Sequence, residues 1–311
     1  MCRRCVSLAN AELSRRVGML KAKTILLMLF VVLAWGSAFP LVKVVLAEVS
    51  PMTLGFIRFL VATPFLVLYA YVEHGKGYWR TFVENPLLLA LMGVTGVTGY
   101  HLLQNLAAEV SSPTSQSIII SSNPIMVALL SAVLLEEKIG KTKLVGIAIG
   151  FAGVLVIVLS ENSTAFGGSS NLVGDLLNVG AAFSWAVYSV LSKKLATTHS
   201  AIELTATSMV FGTLFFVPVV YLRERPQLPT SLPVWLGVAE LSLIASCLAY
   251  AVWNYLLSQE DASKVSISLF LIPVVSAAIS VTLLSEPLTF PIIVGMVMVI
   301  TGVLVAERNR V

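Results

Sequence analysis

The 311-residue sequence predicts an all-α membrane protein of ten transmembrane helices arranged as two inverted five-helix repeats, and three observations predict it. Hydrophobic residues make up 57% of the chain and charged residues 12%, with a mean hydropathy of +0.92. A soluble chain of this length cannot solvate such a surface. Apolar stretches of about 18 residues or more recur along the whole sequence, each long enough to cross a hydrocarbon core of roughly 30 Å as a helix. Finally, the chain matches itself in register at an offset of 149 residues.

Pro, Gly, Asn and charge clusters divide the apolar run into spans at residues 24–46, 51–72, 86–107, 115–135 and 142–160, then 172–194, 202–222, 232–257, 264–284 and 288–306. The first five form one unit, residues 24–160, and the second five another, residues 172–306. Residues 1–23 read as a cytoplasmic tail in which Met19, before "LKAKTILLMLF", is a natural start of translation. The first span is longer than a signal-peptide core and lacks a cleavage pattern after it, so it is expected to remain in the mature protein. The spans nearly exhaust the chain. That leaves no stretch for a nucleotide-binding domain, so any transport is expected to run on a gradient or be facilitated.

Positive charge orients the spans, because cytoplasmic loops retain Lys and Arg. With ten spans, sixteen of the 20 Lys and Arg fall on one side, in the N-terminal tail, alternate loops and the C-terminal end. The opposite loops hold Arg223 and Arg225, and Lys43 and Arg58 lie inside spans. Both termini are therefore expected in the cytoplasm, with the chain in the cell membrane. The net charge of +4 follows from this topology and calls for no nucleic-acid partner. Three cysteines cannot build a disulfide framework, and the Cys2–Cys5 spacing has no second ligand pair, so no metal or cofactor is expected.

At the offset of 149, Asn105 meets Asn254, Ser117 meets Ser266, Pro124 meets Pro273, Glu137 meets Glu286 and Gly146 meets Gly295. Upstream, an offset of 150 pairs Trp35 with Trp185 and Lys43 with Lys193. Five helices per unit is an odd number, so the second copy is inverted relative to the first, an architecture of many secondary transporters. The residues also carry a resemblance. "LAWGSAFPLVKVVL" followed by "SPMTLGFIRFLVA" is similar to the opening of the EamA type of the drug/metabolite transporter superfamily. "EEKIGKTKLVGIAIGFAGVLV" and "SEPLTFPIIVGMVMVITGVLV" resemble the two repeat endings of that family. The resemblance implies ten helices, a central cavity and export or exchange of small metabolites such as amino acids.

Polar side chains are costly inside a bilayer, so their positions direct attention. Tyr100, His101, Gln104 and Asn105 share one broad face of the third span, and Ser246, Cys247, Tyr250, Trp253 and Asn254 share one in the eighth, its repeat partner. Trp35, Phe39 and Lys43 in the first span, and Asn178, Trp185, Ser189 and Ser192 in the sixth, add helical stripes; Ser117, Ser121 and Ser266 extend them. Such faces suit the wall of a cavity for an amphipathic solute, and the same residue types also join helices by hydrogen bonds. Arg58, about eight residues into the second span, would cost on the order of 3 kcal/mol at the bilayer centre. The eleven Leu, Ile, Phe and Val of that span each return roughly 0.3–0.6 kcal/mol. Insertion is thus feasible, which leaves the charge itself to be explained: attraction of an anionic substrate group, pairing with a carboxylate, or snorkelling to the interface. His101 is either a coupling-proton site or a hydrogen-bonded packing residue. Lys43 and Lys193 read as interface anchors.

Pro124, Glu137, Pro273 and Glu286 read as structural or gating residues. Glu137 and Glu286 fall on opposite membrane faces and cannot share one substrate site, so each is expected to cap the turn before the following span, with gating at the two mouths as the alternative. The sequence lacks a GxSG nucleophile with a partner His and a pair of intramembrane Asp, which argues against an intramembrane enzyme. A channel or facilitative permease is the remaining competitor to a carrier. The partners expected are a small-molecule metabolite and the lipid bilayer, with a coupling proton and a homodimer left open.

Overall fold

In the computed structural model the described residues are 3–111, 113–163, 172–224, 226–283 and 289–307, and they contain helices and turns without a strand. The first half comprises α1 (Arg3–Val45), α2 (Pro51–His74), α3 (Tyr78–Glu84), α4 (Pro86–Gly93), α5 (Tyr100–Val110), α6 (Pro113–Ile120), α7 (Asn123–Leu134) and α8 (Lys141–Ser163). The second comprises α9 (Leu172–Leu195), α10 (Ala201–Arg223), α11 (Leu232–Ala239), α12 (Ala249–Gln259), α13 (Ala262–Ile267), α14 (Ile272–Leu283) and α15 (Phe290–Glu307). Among the described residues, six helical segments are long and apolar enough to cross a membrane: Ala22–Val45, Pro51–Glu84, Pro86–Val110, Ala201–Arg223, Leu232–Gln259 and Ala262–Leu283. Asn123–Leu134 and Ile293–Ala306 are shorter apolar helices. Helix α1 starts well before its apolar part, so the expected tail continues the first helix at its backbone. Glu286, Arg225, Arg308 and Arg310 lie outside the described residues.

The helix starts are written in the sequence. Pro51 and Pro86 occupy first-turn positions, where the missing N–H costs nothing. Helix α10 opens with a capping box in which Ser200 and Glu203 satisfy each other's backbone N–H groups. Lys43 and Lys193, 150 residues apart, each place an ammonium on a carbonyl at a helix C-terminus, Ala108 O at 3.2 Å and Glu260 O at 2.9 Å.

Residues 115–135, expected as one span, form two helices instead. Helix α6 stops at Ile120, Ser121 and Ser122 turn, and α7 restarts with Pro124 in its first turn. Proline cannot donate to the preceding turn, so the helix breaks where its N–H would have been needed. The second half breaks at the matching place. A 3₁₀ segment, Ser268–Leu271, separates α13 from α14, and Pro273 stands 149 residues after Pro124. Two π-helical segments also correspond: Val94–Gly99 leads into α5 and Glu240–Leu248 into α12.

The outside is apolar, and a set of polar and charged side chains lies buried within a largely hydrophobic core, which is unlike a soluble fold. Leu87 is 79% exposed and Leu222 82%, while Arg58 is 3% and His101 2% exposed. Without a hydrophobic drive between helices in lipid, association rests on close packing. Helices α8 and α15 meet at glycines. A Cβ on Gly146 would lie 2.6 Å from Gly302 O, and one on Gly153 2.7 Å from Gly295 O, so only glycine lets these backbones touch.

Contacts between the halves come in matched forms. Ser50 donates to the Glu224 carboxylate, and Ser200 hydrogen-bonds His74 Nε2 at 2.9 Å. Ser200 follows Ser50 by 150 residues and Glu224 follows His74 by 150, so one joint is made twice with partners exchanged. Three further pairs join a position to its own repeat mate. Trp35 and Trp185 pack edge to face with centroids 4.9 Å apart, Thr63 and Thr213 share a 2.9 Å hydrogen bond, and His101 and Tyr250 one of 2.8 Å.

Candidate functional site

The two helix breaks border one cavity, and the two π segments hold residues of its wall. Its lining includes Trp35, Ala38 and Phe39 from α1, Arg58 from α2, Tyr100, His101 and Gln104 from α5, and Ile120, Ser121 and Asn123 at the α6–α7 break. Trp185, Tyr250, Leu269 and Ile272 complete it from the second half. Its free space is about 30 Å³, enough to hold water.

The π segments hold the walls. A widened turn frees carbonyls from the regular helical ladder, and such turns recur at functional sites. Trp35 Nε1 donates to Ala245 O at 2.8 Å, and Tyr250 Oη donates to Gly96 O at 2.6 Å. Arg58 Nε donates to Ser246 Oγ, and Ser246 in turn donates to Leu241 O. Because Tyr250 gives its one proton to Gly96, its oxygen accepts from His101 Nε2. His101 is thereby fixed with the proton on Nε2 and a bare lone pair on Nδ1.

That lone pair makes no hydrogen bond in this tautomer, and the Gln104 side chain lies beside it. Gln104 Oε1, Asn123 Oδ1 and the Trp185 Nε1–H, also on the lining, are buried without partners as well. Buried polar atoms are nearly always hydrogen-bonded, and each exception costs about 1–3 kcal/mol. Arg58 adds unshared charge. Among the described residues no carboxylate lies within 4.0 Å of its guanidinium. Its Cζ sits 5.7 Å from the Phe59 ring centroid. Donors, acceptors and aromatic faces therefore converge on one small space, a composition that suits a compact solute with a charged head and an apolar body.

Of the residues singled out from sequence, Trp35, Phe39, Arg58, Tyr100, His101, Gln104, Trp185 and Tyr250 line this cavity. Five others do not. Asn105 donates to Pro51 O at 2.9 Å, and Ser189 to Trp185 O at 3.0 Å within its own helix. Trp253 is buried behind Trp35 and Trp185. Asn254 ties three side chains together, donating to Tyr188 and Thr205 and accepting from Ser192 at 2.6 Å. Asn178 is buried off the lining with both amide atoms unpartnered. Sequence reasoning passed over Asn123, Ile120, Leu269 and Ile272. The signal was available: Pro124 and Pro273 mark the breaks, and residues beside a broken helix face inward.

Glu137 caps a helix, though not the one that follows it. Its carboxylate accepts from Ala262 N at 2.9 Å, Ser263 N at 3.2 Å and Ser263 Oγ at 2.7 Å, at the start of α13 in the other half. The expected cap on the turn before α8 gives way because three donors converge at α13. Partial burial pushes this carboxyl up, but the Ser263 hydroxyl and the two N–H groups outweigh it and hold Glu137 below its ordinary value. At the opposite end Glu48 accepts from Thr230 and Ser231, again in the other half, and the Ser231 and Thr230 hydrogen bonds hold it at about 2.

The profile of the EamA-like transporter family matches the chain twice, at residues 22–159 and 172–307. An "Uncharacterized transporter" of Archaeoglobus fulgidus is 31% identical over 94% of this chain and 99% of its own length. A "Probable amino-acid metabolite efflux pump" of Salmonella typhimurium is 28% identical over 89% and 92%. A "Probable terminal-alkyne amino-acid exporter" of Streptantibioticus cattleyicolor is 27% identical over 93% and 94%. A solved crystal structure shares the fold with a TM-score of 0.76 at 21% identity, over 92% of this chain and 97% of that one. Two matches to one profile, on an apolar helical chain with a buried polar cavity, make this a multi-pass membrane protein and a transporter rather than an enzyme: the chain belongs to the EamA-like transporter family.

Proposed function

We propose that the protein is a secondary transporter that exports or exchanges small carboxylate-bearing metabolites, amino acids foremost. In this reading it has ten spans in two inverted five-helix repeats, residues 24–160 and 172–306, alternating access around the cavity. Both termini lie in the cytoplasm, and the cell membrane is its site, as the Lys and Arg distribution indicates. The joint made twice with exchanged partners supports the inversion, because a two-fold axis in the membrane plane swaps the halves and the faces together. The observation that carries the substrate class is Arg58: buried, on the cavity wall, with no carboxylate paired to it and unpartnered acceptors on His101 and Gln104 nearby. The guanidinium suits a carboxylate, and the acceptors suit an ammonium. Two relatives carry amino-acid export in their names, which agrees.

The test is counterflow in proteoliposomes with labelled L-phenylalanine, L-leucine and L-threonine, beside L-phenylalaninol, a nucleoside and a sugar phosphate. Saturable exchange of amino acids that L-phenylalaninol neither shares nor inhibits is the expected result. Movement of none of the amino acids overturns the reading, and non-saturable flux would mark a channel instead.

A further inference from the structure

Glu240 was passed over in the sequence, yet it lies eight residues past Leu232, at the head of the π segment. That same segment supplies Ser246 to Arg58 and the Ala245 carbonyl to Trp35. One Glu240 oxygen accepts from the Ser37 hydroxyl at 3.1 Å; the other is buried and meets no protein donor. Arg58 is within electrostatic reach of it, but the two are farther apart than the 4.0 Å of an ion pair. The groups facing Glu240 are few. Helix α1 presents the Ser37 hydroxyl and α2 presents Arg58. Helix α11 carries no ionisable side chain, and from α12 the Tyr250 hydroxyl is held by Gly96 and His101. Among the described residues Arg58 is the cation within electrostatic reach of Glu240, and it makes no ion pair with it.

An acid inside a membrane without cation or full hydrogen bonding is a functional position before it is a structural one. Arg58 can neutralise one carboxylate. We propose that Glu240 is the coupling-proton site: a substrate carboxylate pairs with Arg58 and takes up the positive charge that otherwise favours the Glu240 carboxylate through space, and Glu240 then takes up one proton. This rests on the reading that Arg58 receives the substrate carboxylate. The balance closes. One anionic group arrives at Arg58, one proton from solution adds to a Glu240 oxygen, and no other bond forms or breaks. Linkage is reciprocal, so protonation of Glu240 tightens substrate binding as much as substrate tightens protonation. Substrate and proton then bind together, and affinity rises as pH falls. A site where proton and substrate exclude each other would show the opposite sign.

The experiment measures L-phenylalanine binding to the purified full chain in weakly buffered detergent with a pH-indicator dye, at stepped pH. Wild type takes up about one proton per amino acid bound, and its affinity rises by up to about tenfold per pH unit, the limit for one linked proton. Glu240→Gln abolishes proton uptake and flattens the pH profile. Glu240→Asp restores the proton uptake, which a purely packing role for the side chain would not do. Proton uptake by Glu240→Gln at the wild-type level, or none by wild type while it binds L-phenylalanine, overturns the proposal and leaves the transporter reading standing. Absence of binding to wild type, together with failure of every amino acid in the counterflow panel, overturns both.

Discussion

The two segments that match one family profile have put different chemistry at equivalent positions. Arg58 stands opposite Ser208, His101 opposite Tyr250 and Gln104 opposite Trp253, by offsets of 150, 149 and 149 residues. On the cavity wall the first half supplies the charge of Arg58 and the unpartnered atoms of His101, Gln104 and Asn123, whereas the second supplies two aromatics, Trp185 and Tyr250, and two aliphatic side chains, Leu269 and Ile272. The asparagines diverge in the reverse sense, since Asn105 donates one hydrogen bond from its amide and Asn254 makes three. Duplication yields two copies of each position, but one cavity needs one charged head. In the proposed reading, the charged part of recognition lies in the first copy, at Arg58.

The comparison breaks most readily at Arg58. Arg58→Ala is expected to lower amino-acid counterflow by at least about 30-fold, since truncating a buried charged partner costs about 2–5 kcal/mol. Ser208→Ala, which removes a hydroxyl bonded within its own helix, is expected to change it less than about twofold. Equal losses would erase the asymmetry. Stability should then run the other way at the asparagines. Asn254→Ala is expected to cost about 3 kcal/mol and Asn105→Ala about 1 kcal/mol, at roughly 1 kcal/mol per hydrogen bond lost. The check is thermal unfolding in detergent, where Asn254→Ala should melt lower. The smallest effect belongs to Glu137. Folding lowers its proton affinity, so its stabilising contribution is present above its ordinary value of 4.5 and fades as pH falls through the lower folded value. Glu137→Gln is expected to lower the melting temperature by a few degrees, from about 1 kcal/mol, at neutral pH. In acid the two proteins should melt together; a gap that persists there would mean packing rather than charge.

The spans themselves were legible because lipid enforces long apolar segments, and the duplication because identical residues recur at one offset. Arg58, His101 and the tryptophans were legible for a related reason: polar and aromatic residues stand out against an apolar background. What sequence could not give was which member of a polar face reaches the cavity. Gln104 and Asn105 are adjacent, and one lines the wall while the other bonds Pro51 O. That choice depends on the extra residue wound into Val94–Gly99, which no periodicity count reveals. Glu137 was read with its neighbours in sequence, but its donors belong to α13, 125 residues away. Glu240 escaped because it has no acidic counterpart in the first half: position 91 is Leu.

The pairs that join a position to its own repeat mate carry a historical consequence. In an ancestral assembly of two identical five-helix chains, a residue on the symmetry axis would face a copy of itself, so only self-complementary side chains would serve. Trp35 with Trp185 and Thr63 with Thr213 still satisfy that rule, an edge-to-face indole pair and a hydroxyl pair. His101 with Tyr250 does not. Two imidazoles facing each other would have to hold different tautomers to share a proton, whereas an imidazole and a phenol divide donor and acceptor without conflict. A single chain is free of that self-complementarity, and His101 with Tyr250 is a pair that departs from it.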